Sequence, residues 1–312
     1  MTAAAEALAA LDLRSADAVE AALLQGAHAN LHAPCRQGSV DIVPLRGTVL
    51  ATGDLHDNPL HFSRVLDLAR IQDSTDDAPR HVTLHELIHG DRLLNGMDFS
   101  YRALARAAAL KARLPASVHT LLANHELSQI VGAGVTKDGV NLVAAFNEAI
   151  DYAFGADADR VRAAVEAFIR SMPLALIAGD PPEAGSPPTR LLFAHSLPPP
   201  ELMDRFDPGV LGRPLTADDY TPRRGSAHLM VWGRGHTPDH LERLANLWGV
   251  RLFILGHEKA ERGWLSLPPN AVVLNSDHER GVVLPIDLAA PPAPPADDAW
   301  GFVPLSDHAL DS

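Results

Sequence analysis

The chain has 312 residues, 46% hydrophobic and 21% charged, an ordinary composition for a soluble globular protein with one large core or two modest ones. Its 39 acidic residues outnumber 26 basic ones, and the formal net charge of −13 repels phosphate backbones and anionic lipid, which disfavours nucleic-acid and membrane partners. Cys35 is the only cysteine, so an intrachain disulfide and a thiolate zinc cluster are ruled out and any metal must sit on His, Asp, Glu or Asn.

The opening from Met1 to Glu6 lacks the basic start of a signal peptide, and no run of about eighteen apolar residues occurs, so a cytoplasmic location without a spanning helix is expected. Residues 3–25 are Ala- and Leu-rich and predict one or two short helices capped by Gly26, a leading extension of about residues 1–40. From there strands and helices alternate: a strand over Thr48–Thr52, a helix over Leu60–Ile71, a helix over Tyr101–Leu114 and a strand over Val118–Ala123. A helical block follows from Asn141 to Arg170, then strands over Leu191–Ala194 and Leu252–Leu255 with a helix over His240–Trp248 between them. Ala271–Leu274 and Gly281–Leu284 read as a closing hairpin. The alternation predicts an α/β core. Gly179–Pro188 and the tail from Ala289, with Pro291, Pro292, Pro294 and Pro295, read as irregular, so the expected organisation is one domain over residues 1–288 and a Pro/Ala-rich tail over 289–312.

Four apolar strands stop at residues able to bind a metal. Thr48–Thr52 ends at Gly53-Asp54-Leu55-His56, Thr120–Ala123 at Asn124-His125-Glu126, Leu191–Ala194 at His195, and Leu252–Leu255 at Gly256-His257. The crevice beyond the carboxyl ends of strands is where α/β sheets bind ligands, so the four endings point to one shared site. In an extended chain residues i and i+2 face the same way, which would let Asp54 and His56 reach one ion. Oxygen and imidazole donors without thiolate suit Mn²⁺, Fe or Zn²⁺.

These segments resemble the phosphoprotein phosphatase branch of the calcineurin-like metallophosphoesterases. Gly53-Asp54-Leu55-His56 is similar to that family's GD-x-H segment, Ala123-Asn124-His125-Glu126 to its GNHE segment, and Phe193-Ala194-His195-Ser196 to its strand-end histidine segment. Leu255-Gly256-His257-Glu258, followed by Gly263-Trp264, is similar to the last metal histidine before a Gly-aromatic pair. The similarity runs in the same order over roughly residues 45–287. It implies a four-layer α/β/β/α sandwich of two mixed sheets flanked by helices. It further implies two divalent or trivalent metal ions, with Asp54 and His56 on the first and Asn124, His195 and His257 on the second. His125 would be the general acid, and Arg234, in Trp232-Gly233-Arg234, a phosphate-binding guanidinium. The expected activity is phosphomonoester hydrolysis of the serine/threonine protein phosphatase type, by a water activated between two metals, on a phosphoprotein or small phosphoester.

One segment departs from the family. Where the family carries GD-x-x-DRG, this chain reads Leu84-His85-Glu86-Leu87-Ile88-His89-Gly90-Asp91-Arg92. Glu86 takes the place of the bridging aspartate, with Asp91 the alternative bridge, and His89 falls where the family has the aspartate that orients its general acid. The same residues spell HExxH, which on a helix would place His85 and His89 around one zinc with Glu86 as base, the pattern of a zinc metallopeptidase. Val82, Thr83 and Gly90 oppose that helix. A relative that binds phosphorylated partners with little turnover is the other alternative.

Overall fold

In the computed structural model, which describes residues 11–132, 135–137, 139–183, 185–292 and 300–306, fourteen strands and eight α-helices are described. In chain order the strands are β1 Arg36–Gln37, β2 Val40–Val43, β3 Thr48–Thr52, β4 Arg80–Leu84, β5 Val118–Thr120, β6 Thr136–Lys137, β7 Val140–Asn141, β8 Ala175–Ala178, β9 Arg190–Ala194, β10 Val250–Leu255, β11 Trp264–Leu267, β12 Ala271–Leu274, β13 Val282–Asp287 and β14 Val303–Pro304. The helices are α1 Ala16–His32, α2 Pro59–Ala69, α3 Tyr101–Arg113, α4 Asn124–Val131, α5 Leu142–Phe154, α6 Ala158–Ser171, α7 Ser226–Trp232 and α8 Pro238–Trp248. Two mixed sheets dominate, one of seven strands in the order β1-β2-β8-β9-β10-β12-β11 and one of five in the order β14-β13-β3-β4-β5; β6 and β7 form a separate ribbon.

The period of two along each strand divides the core. Leu191 and Phe193 of β9, Leu252 and Ile254 of β10, and Val49 and Ala51 of β3 pack in one buried cluster between the sheets. Their alternates Leu192, Ala194, Phe253, Leu255 and Leu50 face outward into the cluster that holds the helices. Strands buried on both faces read as continuous apolar runs, which is how they stood out in the sequence. Helices α2 and α3 cover the five-stranded sheet and α8 the seven-stranded one, giving helix, sheet, sheet, helix. Among the described residues no helix is long and apolar enough to cross a membrane.

Three expectations change. Gly26 does not cap a helix, because α1 runs on to His32; a Cβ at Gly26 would lie 2.7 Å from the Cα of Ala108, so glycine is needed where α1 crosses α3. Helix α1 packs against α3 and α6. Ala271–Leu274 and Gly281–Leu284 are not a hairpin: β12 pairs with β10 and β11, while β13 pairs with β3 and β14 in the other sheet. The tail is not wholly irregular, since Val303 and Pro304 pair with Val283 and Val282, and Trp300 joins the inter-sheet core. The expected early helix over residues 3–10, and tail residues 293–299 and 307–312, lie outside the described residues.

Candidate metal centre

Strands β3, β4 and β5 run parallel, as do β9, β10 and β12, so both sheets deliver their carboxyl ends to one region. Backbone bonds stitch those ends together. The amides of Leu55 and His56 donate to the carbonyl of Glu86 at 3.2 and 2.7 Å, and the amide of Gly256 donates to that of His195 at 3.0 Å. Across the two sheets, the amide of His257 donates to Asp54 Oδ1 at 2.9 Å and that of Ser276 to the Asp54 carbonyl at 3.0 Å. Such close approach requires glycine: a Cβ at Gly53 would lie 2.0 Å from the Leu274 oxygen, and one at Gly256 would lie 2.4 Å from Asp54 Oδ1.

Asp54, His56, Glu86, Asn124, His125, His195 and His257 all fall in this region. His195 Nε2 lies 2.7 Å from Asn124 Oδ1, 3.1 Å from His257 Nδ1 and 3.2 Å from Glu86 Oε2. Donor atoms bound about 2.1 Å from a shared ion stand roughly 3.0–3.4 Å apart, so these four have the spacing of one coordination sphere. The other Glu86 oxygen, Oε1, lies 3.5 Å from His56 Nε2 and 3.4 Å from His125 Nε2. Asp54 Oδ1 sits behind, 3.6 Å from His195 Nδ1 and 3.9 Å from His85 Nδ1. Glu86 thus turns one oxygen to each of two donor groups, Glu86-His195-His257 and His56-Glu86-His125. Asp91 is exposed and belongs to neither.

The expectation that Asp54 and His56 face one ion together depends on extended backbone, and the chain does not stay extended. His56 has a φ of +43°, which turns its ring toward Glu86 and His125 while Asp54 groups with His85 and His195. Glu86 at +47°, His89 at +62° and His257 at +70° share this left-handed region, which costs non-glycine residues on the order of 1–3 kcal/mol each and is tolerated where surrounding bonds fix it. Residues 85–89 are accordingly not helical, and no group of possible ligands among the described residues holds both His85 and His89, which removes the HExxH zinc reading.

The electrostatics fit a cation pair. Burial, then Asp54 and Glu126, push the Glu86 carboxyl well above the usual carboxylate range. Burial, then the surrounding imidazoles, hold His195 and His125 far below the ordinary histidine value, and burial followed by Arg234 lowers His257 to about 3. Neutral imidazole is the form that binds metal. Glu86 Oε2 and His257 Nε2 are buried without a hydrogen-bond partner. Crowded acids, neutral histidines and orphaned acceptors together form a donor set that two hard-to-borderline cations would satisfy.

Two residues here escaped the sequence reading. His85, treated only as part of the zinc pattern, lies 3.1 Å from His195 Nδ1 and 2.8 Å from the Thr52 carbonyl, and so supports the His195 ring from behind. Glu126 is fully buried, accepts from the Leu87 amide at 2.6 Å, and anchors the loop that carries Glu86. Its position inside Asn124-His125-Glu126 was the available signal. His89 pairs through Nδ1 with Asp98 at 2.7 Å, and its ring centroid stands 5.7 Å from that of His125. Arg234 is exposed, with its charge acting on Glu86 and His257.

No protein-family model and no curated protein matches the sequence. Among solved structures, a protein serine/threonine phosphatase from Saccharomyces cerevisiae superposes over 93% of this chain and 88% of its own, with a TM-score of 0.63 and 16% identity. A mutant cold-active protein tyrosine phosphatase covers 80% of this chain and 78% of its own, with a TM-score of 0.51 and 17% identity. The two mixed sheets, the flanking helices and these likenesses together show that the chain adopts the calcineurin-like metallophosphoesterase fold.

Proposed function

We propose that the chain is a metal-dependent phosphomonoesterase with a dinuclear centre, held by His56 and Glu86 on one side and by Glu86, Asn124, His195 and His257 on the other, with the Asp54 carboxylate behind His195 adding negative charge. The observation that carries this reading is the buried Glu86 carboxylate with one oxygen turned to each donor group. When bound, two such cations supply Lewis-acid stabilisation of the phosphoryl oxygens and lower the pKa of a water. The chain's own residues do the rest. Arg234, exposed at the rim, grips a non-bridging phosphate oxygen through its guanidinium fork. His125, its Nδ1–H donating to the Ile88 carbonyl at 3.4 Å and its ring flanked by the Asp98-paired His89, acts as an imidazolium whose Nε2–H protonates the departing alkoxide and which is left as neutral imidazole. The phosphate dianion beside it raises the proton affinity that burial lowers.

Similarity of the motifs to the phosphoprotein branch, and the fold shared with a protein serine/threonine phosphatase, favour phosphoserine and phosphothreonine as substrates. Protein loaded with Mn²⁺ is expected to hydrolyse an aryl phosphate and to lose both metal and turnover on Asp54→Ala. A loaded protein that cleaves no aryl phosphate, with metal content unchanged in that variant, overturns the reading. Competition between a phosphoserine peptide, a phosphotyrosine peptide and a dinucleoside tetraphosphate then assigns the substrate class.

A further inference from the structure

An open pocket of about 330 Å³ begins at Asp57 and Asn58, directly after His56, and is walled by Arg92, Arg102 and Arg106 over a floor that includes Phe62 and Phe99. Arg92 joins it to the metal centre: one end of its fork donates to the His56 carbonyl at 2.8 Å and the other to Asp277 at 2.6 Å. That pairing leaves Arg92 compensated. Arg102 and Arg106 differ, for neither has a carboxylate within 4.0 Å among the described residues, in a chain with thirteen more acidic than basic residues. Both are half-buried and lie one turn apart on α3. Arg102 stacks on Phe99 with its guanidinium carbon 4.6 Å from the ring centroid, and burial followed by Arg102 lowers the basicity of Arg106. Their placement also opposes the helix dipole. Arg102 occupies the first turn of α3, at its positive end, where no acidic residue is present. Asp57, the acidic residue lining the pocket, pairs with Arg92 at 3.7 Å, so Arg102 and Arg106 face the cavity without a carboxylate in reach, which is unfavourable unless an anion shares the space.

We infer that this pocket is a subsite for a second phosphoryl group, so that a phosphomonoester carrying a second phosphate, with one phosphate presented to the metal centre and the other to Arg102 and Arg106, is preferred over its singly phosphorylated counterpart. A dianion compensates both guanidinium groups where a carboxylate compensates one, and the two forks offer several donors to a tetrahedral oxyanion. The apolar floor leaves room for the carbon skeleton between the phosphates. This inference rests on the phosphomonoesterase reading above and extends it to the class of substrate.

The test uses the Mn²⁺-loaded full chain with bisphosphates of linear alkanediols of increasing length, each against its monophosphate. For at least one length the wild type is expected to show kcat/KM roughly tenfold or more in favour of the bisphosphate, the scale of one or two charge-assisted hydrogen bonds. Arg102→Met with Arg106→Met keeps the alkyl packing and removes the facing charges, so the ratio falls to near one while the thermal midpoint holds or rises. No preference at any length, or a preference that survives the double substitution, overturns the inference. Should no ester be hydrolysed, the phosphomonoesterase reading has failed, and the pocket is judged by calorimetric binding of inorganic pyrophosphate. Binding lost in the double variant then supports the subsite; equal binding, or none in either protein, overturns it.

Discussion

Two of the buried polar clusters among the described residues are built on opposite principles. In one, Asp41 of β2 is fully enclosed and saturated: Arg36 donates to it at 2.9 Å, His119 pairs with it at 2.7 Å, and Lys111 stands 3.7 Å away. Burial alone would raise its carboxyl, yet the His119 bond and the charges of Lys111 and Arg36 hold it below the ordinary carboxylate range. Lys111 in turn donates to the carbonyls of Pro115 and Val118 at 2.8 Å each. In the other cluster Asp54 and Glu86 crowd one another, the histidines around them are neutral, and Glu86 Oε2 and His257 Nε2 make no hydrogen bond. Both are buried in the same sandwich, so burial does not separate them. Internal charge balance does. The balanced cluster ties β2 to β5, from different sheets, and is complete in itself; the unbalanced one is complete only with added positive charge.

The largest effect should come from the unbalanced cluster. Asp54→Ala is expected to lower turnover of an aryl phosphate on the order of 10⁴-fold, about 5 kcal/mol of barrier, together with loss of metal by elemental analysis. Asp41→Ala tests the other side of the contrast. It leaves Lys111 buried without its carboxylate and should cost about 3–5 kcal/mol in denaturant unfolding, with metal per folded molecule unchanged. The pH dependence of the balanced cluster has a definite sign. Burial first, then His119, lowers His81 from 6.5 to about 3, so the folded state binds fewer protons than the unfolded state between those values. Its contribution to stability is full above pH 6.5 and is lost as pH falls toward 3, at up to about 1.4 kcal/mol per pH unit. His81→Phe should flatten that limb of a stability–pH curve. The smallest effect sharpens the comparison most: Glu86→Gln relieves the crowding with Asp54. The metal-free protein should therefore gain roughly 1 kcal/mol, about 2–4 °C in thermal midpoint, while the further rise on adding Mn²⁺ disappears. A metal-free midpoint that falls instead would mean that Glu86 is already compensated within the chain.

The strand endings were legible because strands buried on both faces leave uninterrupted apolar runs, against which Asp54, Asn124, His195 and His257 stand out as breaks. What stayed hidden depends on partners far apart in sequence. Ala271–Leu274 and Gly281–Leu284 have the local marks of a hairpin, and only the two-sheet arrangement sends them to different sheets. Gly26 carries the mark of a helix end, while its actual constraint comes from Ala108 on another helix. Within the site, period-two reasoning failed at His56, because a left-handed turn reverses the facing that an extended chain would give. The supporting roles of His85 and Glu126 depend on contacts with His195 and the Leu87 amide, far apart in sequence, and only Glu126, inside Asn124-His125-Glu126, had a local mark.

Short strand β14 has a consequence for how molecules of this protein meet one another. By bonding to Val282 and Val283 it occupies the outer flank of β13, whose amides and carbonyls would otherwise offer a template to any passing extended chain. His61 of α2, paired with Ser306 at 3.1 Å, fastens the same stretch from below. Residues 300–306 therefore cover that edge, and a chain shortened before Trp300 is expected to dimerise or aggregate through β13, read as a rise in mass by light scattering, even where its catalytic groups are intact.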